Sequence, residues 1–99
     1  MNGFPGRNLG ILNITVNNST DTEITFDAPI RSFFLKSRNG TTLYLRKTNG
    51  GANYITFAPG LILDSEIILG QTNWSESSLG FMRTDNAGGD VVEGLVIYS

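Results

Sequence analysis

The sequence predicts an all-β domain, a single antiparallel β-sandwich of about eight short strands with a jelly-roll-like wrap as its candidate topology. Three observations carry this. Turn-forming and strand-compatible polar residues are abundant, with 12 Gly, ten Asn, ten Thr and eight Ser, while strong helix formers are scarce. No window keeps a helical period of apolar residues. Short apolar or alternating segments recur between turn clusters along the chain. At 99 residues, 39% of them hydrophobic and 16% charged, the chain has the length of one domain and an ordinary globular balance.

The first eight residues, Met1 to Asn8, show no periodic pattern and read as an N-terminal arm, so the sandwich is expected over 9–99. Strands are expected at Ile11 to Val16, Glu23 to Phe26, Ile30 to Lys36, Thr42 to Lys47, Tyr54 to Ala58, Leu61 to Leu69, Leu79 to Arg83 and Val91 to Tyr98. Between them stand clusters of Asn, Asp, Gly, Pro and Ser that stop a strand and turn the chain, such as Asn17-Asn18-Ser19-Thr20 and Asn49-Gly50-Gly51. Gly70 to Ser78 is the longest polar connection, and it holds the single Trp, Trp74.

Register can be argued in the middle of the chain. A two-residue loop at Asn39-Gly40 would mix polar and apolar residues on both faces of a hairpin. A three-residue loop of Arg38-Asn39-Gly40, with Gly40 at positive φ, sets Leu35 opposite Leu43 and Phe33 opposite Leu45. The next turn then brings Leu45 beside Ile55 and Leu43 beside Phe57. The expected core is therefore Phe33, Leu35, Leu43, Leu45, Ile55 and Phe57, and the opposite face carries Phe34, Lys36, Tyr44, Arg46 and Tyr54 together.

Those three aromatics and two cations form the candidate interface, with Trp74 as a loop anchor beside them. A subunit or partner contact is the first reading of this face, and cover by another part of the chain is the second. Stacking of a glycan or of single-stranded nucleic acid is the third. The absence of His and Cys removes the Ser-His-Asp and Cys-His nucleophiles, Cys/His zinc sites and disulfides. Asp64 and Glu66 share a strand face, but alternation with Leu63 and Ile67 marks that face as solvated rather than catalytic. The segment Asp85 to Asp90 has oxygen ligands on flexible glycines but departs from the calcium-loop pattern at Ala87, and a hairpin turn explains it. No catalytic residue, metal or cofactor is expected.

The formal net charge is -2, which argues against a non-specific DNA-coating protein and makes nucleic acid an unfavoured partner. Five of the seven cations lie between Asp27 and Asp64, and the acidic residues concentrate after them. This polarity suggests contacts between copies in which Arg38, Arg46 or Lys47 of one meets Asp85, Asp90 or Glu93 of the next. No signal-peptide pattern follows Met1, and no apolar run nears the ~18 residues of a membrane span.

Ser32-Phe33-Phe34-Leu35-Lys36-Ser37, Thr41-Thr42-Leu43-Tyr44-Leu45-Arg46 and Asn53-Tyr54-Ile55-Thr56-Phe57-Ala58-Pro59-Gly60 resemble the small all-β structural proteins of tailed-phage virions, including capsid decoration or cement proteins. The resemblance is one of style over roughly the central 40 residues. It implies a non-catalytic, cofactor-free protein made in the host cytoplasm that works in many copies on a virion surface or tail. Its partners would be itself, as a homo-oligomer, and a major structural protein of the particle. A carbohydrate-binding module and a single-strand nucleic-acid binder are the alternatives.

Overall fold

The computed structural model describes residues 9–64 and 77–98. Among these residues there are eight strands: β1 (Leu9–Val16), β2 (Thr22–Thr25), β3 (Ile30–Ser37), β4 (Leu43–Arg46), β5 (Ile55–Phe57), β6 (Leu63–Asp64), β7 (Ser78–Thr84) and β8 (Asp90–Tyr98). Each expected segment holds one of them. The N-terminal arm, Glu66, Trp74 and the end of the Leu61 to Leu69 segment lie outside the described residues.

The strands form two four-stranded antiparallel sheets, ordered β1-β8-β3-β6 and β2-β7-β4-β5. The pairs β1 with β8, β2 with β7, β3 with β6 and β4 with β5 are those of one long hairpin folded at the β4–β5 turn. Wrapping that hairpin adds β8 beside β3 and β7 beside β4. This is the strand order of a jelly roll.

Alternation decides what each strand buries. Val16 of β1, Phe33 and Leu35 of β3, Leu63 of β6, and Val92 and Val96 of β8 point inward from the first sheet. Ile24 of β2, Leu43 of β4 and Met82 of β7 meet them from the second, with Phe26 and Ile30 closing the core. Leu45 and Phe57 are partly buried against this cluster. Ile55 departs from expectation and is 57% exposed. It belongs to a three-residue strand at the edge of its sheet among the described residues.

The β3–β4 connection also corrects the register argument. β3 and β4 belong to different sheets, so Leu35 does not pair with Leu43, nor Phe33 with Leu45. Phe33 instead pairs with Val96 and Leu35 with Gly94. Alternation correctly sends Phe33, Leu35 and Leu43 into one core, but a core can be shared across a sandwich as well as along a ladder. Gly40 nevertheless has φ 73°, because the chain reverses there as it crosses from one sheet to the other. On the far side of that crossing the expected pairing holds, with Leu43 opposite Phe57 and Leu45 opposite Ile55.

Candidate functional site

The separation of β3 from β4 divides the expected interface in two. Phe34 and Lys36 lie on the outer face of the first sheet, whereas Tyr44, Arg46 and Tyr54 lie on the outer side of the second. Phe34 therefore faces Leu95 of β8 and Asp64 of β6, not Tyr44. Trp74 is outside the described residues.

On the first sheet, ladder pairing aligns outward side chains in rows. Ile11 pairs with Leu95 and Leu95 with Phe34, which makes an apolar row across three strands. Leu9 and Ile97 extend it on the adjoining row. Ile11 is 66% exposed and Phe34 37%. Gly94 lies in the middle of this sheet, paired with Leu12 and Leu35, and contributes no side chain. A Cβ at Gly94 would collide with the carbonyl oxygen of Phe34 and come within 2.6 Å of Leu35 Cδ2. A groove of about 210 Å³ lies on the outer face between Ile11, Phe34 and Leu95, with Lys36 and Glu93 at its end and Gly94 also in its lining.

The neighbouring row is ionic but closed on itself. Lys36 Nζ lies 3.2 Å from Glu93 Oε1, and Arg38 Nε donates to Glu93 Oε2 at 3.2 Å. Arg38 Nη2 also donates to Asn13 Oδ1 at 2.7 Å. Hydrogen bonds from Lys36 and Arg38 hold the Glu93 carboxyl below its ordinary pKa, with their positive charge acting in the same direction.

On the second sheet a different chemistry collects. Tyr44 and Tyr54 meet edge to face, with ring centres 5.4 Å apart, and the Arg46 guanidinium lies 4.6 Å from the Tyr54 ring centre. Tyr44 pairs with Arg83 of β7, which places a second guanidinium beside the first. Both are held by Asp21, whose side chain is fully buried: Oδ1 accepts from Arg46 Nη1 at 3.2 Å and from Arg83 Nε at 3.1 Å. Oδ2 accepts from Gly50 N at 2.7 Å, and Arg46 Nε donates to Gly51 O at 3.0 Å, which ties the β4–β5 turn to the same carboxylate. Asn17 fixes the approach to Asp21 through a turn in which its Oδ1 accepts from the backbone N–H of Ser19 and Thr20. The result is a groove of about 270 Å³ walled by Tyr44, Tyr54, Arg46 and Arg83, with Asn18 and Asp85 on its rim.

Sequence reasoning brings Tyr44, Tyr54 and Arg46 together correctly but misses Asp21 and Arg83. Arg83 had a signal, since Phe81 and Arg83 alternate with the buried Gly80, Met82 and Thr84 and must face outward with Tyr44. Asp21 had none, because its burial is created by strands distant in sequence.

The expected charge contacts between copies are largely satisfied within one chain. Arg38 binds Glu93, Arg46 binds Asp21, and Asp90 is 4% exposed and points inward. Asp90 Oδ2 accepts from the Ser37 and Thr41 hydroxyls, and Oδ1 from the backbone N–H of Asn39 and Val91. Asn86 Nδ2 donates to Gly89 O at 2.7 Å and Gly89 N to Asn86 O at 2.9 Å, so the Asp85 to Asp90 segment is an internally bonded turn. Among the described residues no three acidic side chains converge on one point. The chain matches no protein-family model, no curated protein and no solved structure.

Proposed function

We propose that this chain is a non-catalytic assembly module that docks through the outer face of its first sheet onto copies of itself and onto a larger particle, in the manner of a virion decoration protein. The jelly-roll order is shared by viral capsid and lectin domains, so the fold alone does not choose a function. The observation that carries the reading is the row Ile11, Leu95 and Phe34. The sandwich already has a complete core between its sheets, and this second apolar surface has no role in closing it.

The ionic row beside it fits the same reading. Because Glu93 is bonded to Lys36 and Arg38 within the chain, those charges can border a contact without each requiring a partner across it. Apolar contact supplies affinity, since exposed ion pairs contribute only ~0 to 1 kcal/mol each.

The test is sedimentation velocity of the purified chain over a range of concentrations, beside a variant carrying Ile11→Ser and Phe34→Ser. Self-association that is lost in the variant supports the reading. A chain that stays monomeric and that captures no co-expressed particle protein overturns it.

A further inference from the structure

We propose that the groove of the second sheet is a binding site for one ring of a neutral glycan. It lies on the sandwich face opposite the apolar row, so both surfaces can be occupied at once.

The groove presents what a pyranose needs. Tyr44 and Tyr54 supply aromatic surface for its C–H faces, and flat charged groups beside them can bond pairs of adjacent hydroxyls. Arg83 uses Nε on Asp21, and its two Nη groups carry four further N–H donors. Arg46 likewise commits Nε and Nη1 and retains Nη2. Asp85 and Asn18 add acceptors on the rim. A sugar hydroxyl both donates and accepts, so a mixed set of this kind suits a polyol better than an apolar ligand.

Charge and size narrow the ligand. Two guanidiniums are balanced by the carboxylates of Asp21 and Asp85, so the groove has no net positive charge to attract a phosphodiester chain. At about 270 Å³ it is just below the ~300 Å³ lower end of small-molecule pockets, enough for one ring rather than several. Preorganisation is the strongest feature. The buried carboxylate of Asp21 fixes both arginines before any ligand arrives, which removes side-chain ordering from the binding cost.

The experiment is titration of the isotope-labelled chain with maltotriose, cellotriose, chitotriose, mannotriose and lactose, followed by amide chemical shifts. Saturable shifts at Tyr44, Tyr54, Arg83 and Asp85 with at least one sugar are expected, and Tyr44→Ala and Arg83→Met should each weaken that sugar about tenfold or more. Wild-type shift mapping keeps the test decisive if either variant folds poorly. Absence of shifts with all five sugars at millimolar concentration overturns the proposal. So do shifts confined to other surfaces, or salt-sensitive binding of an oligothymidylate in the groove in place of the sugars.

Discussion

Ser37 and Asp90 stand 53 positions apart and meet in the interior, where the Ser37 hydroxyl donates to the Asp90 carboxylate. Thr41 donates to the same oxygen, and its hydroxyl lies 2.7 Å from that of Thr84. This polar cluster joins β3, the crossing to β4, β7 and the start of β8. Burial acts to raise the Asp90 pKa, but the bonds from Ser37, Thr41 and the N–H groups of Val91 and Asn39 outweigh it, and the net direction is down.

A carboxyl whose folded pKa is lowered contributes stability above its unfolded value, and that stability is lost as pH falls through the folded one. The wild-type melting temperature should therefore decline as pH drops below about 4, the ordinary aspartate range. Asp90→Asn should lower stability at neutral pH by about 1 to 3 kcal/mol and flatten the acid limb. Thermal unfolding across a pH series checks both, and an acid limb of unchanged steepness in the variant would remove Asp90 as its cause.

Two glycines should respond to substitution for different reasons. Gly40, at φ 73°, has open space around it, so Gly40→Val should cost about 1 kcal/mol or more from backbone strain, while Gly40→Asn should be nearly neutral. Gly94→Ala meets the Phe34 carbonyl, a backbone atom that cannot swing aside, and should cost about 1 to 3 kcal/mol by overpacking. Chemical denaturation separates these outcomes; a neutral Gly94→Ala would show that the β3–β8 contact yields easily.

Asp21→Ala should be among the most damaging single changes. It leaves two partly buried guanidiniums and the Gly50 N–H without their acceptor, a loss of about 3 kcal/mol by analogy with broken buried pairs. Glu93→Gln, on the exposed face, should leave the unfolding midpoint nearly unchanged. Equal effects from the two would contradict the difference in burial between them.

Adjacent residues of β3 should behave oppositely. Leu35, fully buried, should cost about 2 to 5 kcal/mol as Leu35→Ala. Phe34→Ser, on the outer face and 37% exposed, should cost less than Leu35→Ala, about 1 kcal/mol, in a monomeric state while reducing association. A large fall in melting temperature for Phe34→Ser would assign that side chain to the fold rather than to a docking face.

Much of this architecture is legible in the chain itself. Alternation and turn residues locate all eight strands, and Gly40 has the expected positive φ although the hairpin loop that suggests it does not form. Pairing is legible at β4–β5, where consecutive strands share a sheet, but not at shorter connections such as 38–42, where the chain crosses from one sheet to the other. The β1–β8, β2–β7 and β3–β6 ladders join residues far apart, and periodicity carries no information about which distant strand lies alongside. The same limit explains the divided aromatic face. Phe34 and Tyr44 both point outward, but outward from different sheets.

The position of β8 between β1 and β3 governs when the domain can form. During synthesis, β1 emerges well before β8, its ladder partner among the described residues. Sheet one cannot assemble progressively from its N-terminal end, and folding must wait for the C-terminal strand and then close loops that span most of the chain. Such long-range pairing places the expected folding time in the slow range for small domains, about milliseconds to seconds. A truncation that removes Asp90–Tyr98 would take the strand that joins β1 to β3 out of one sheet and Asp90 out of the buried polar cluster.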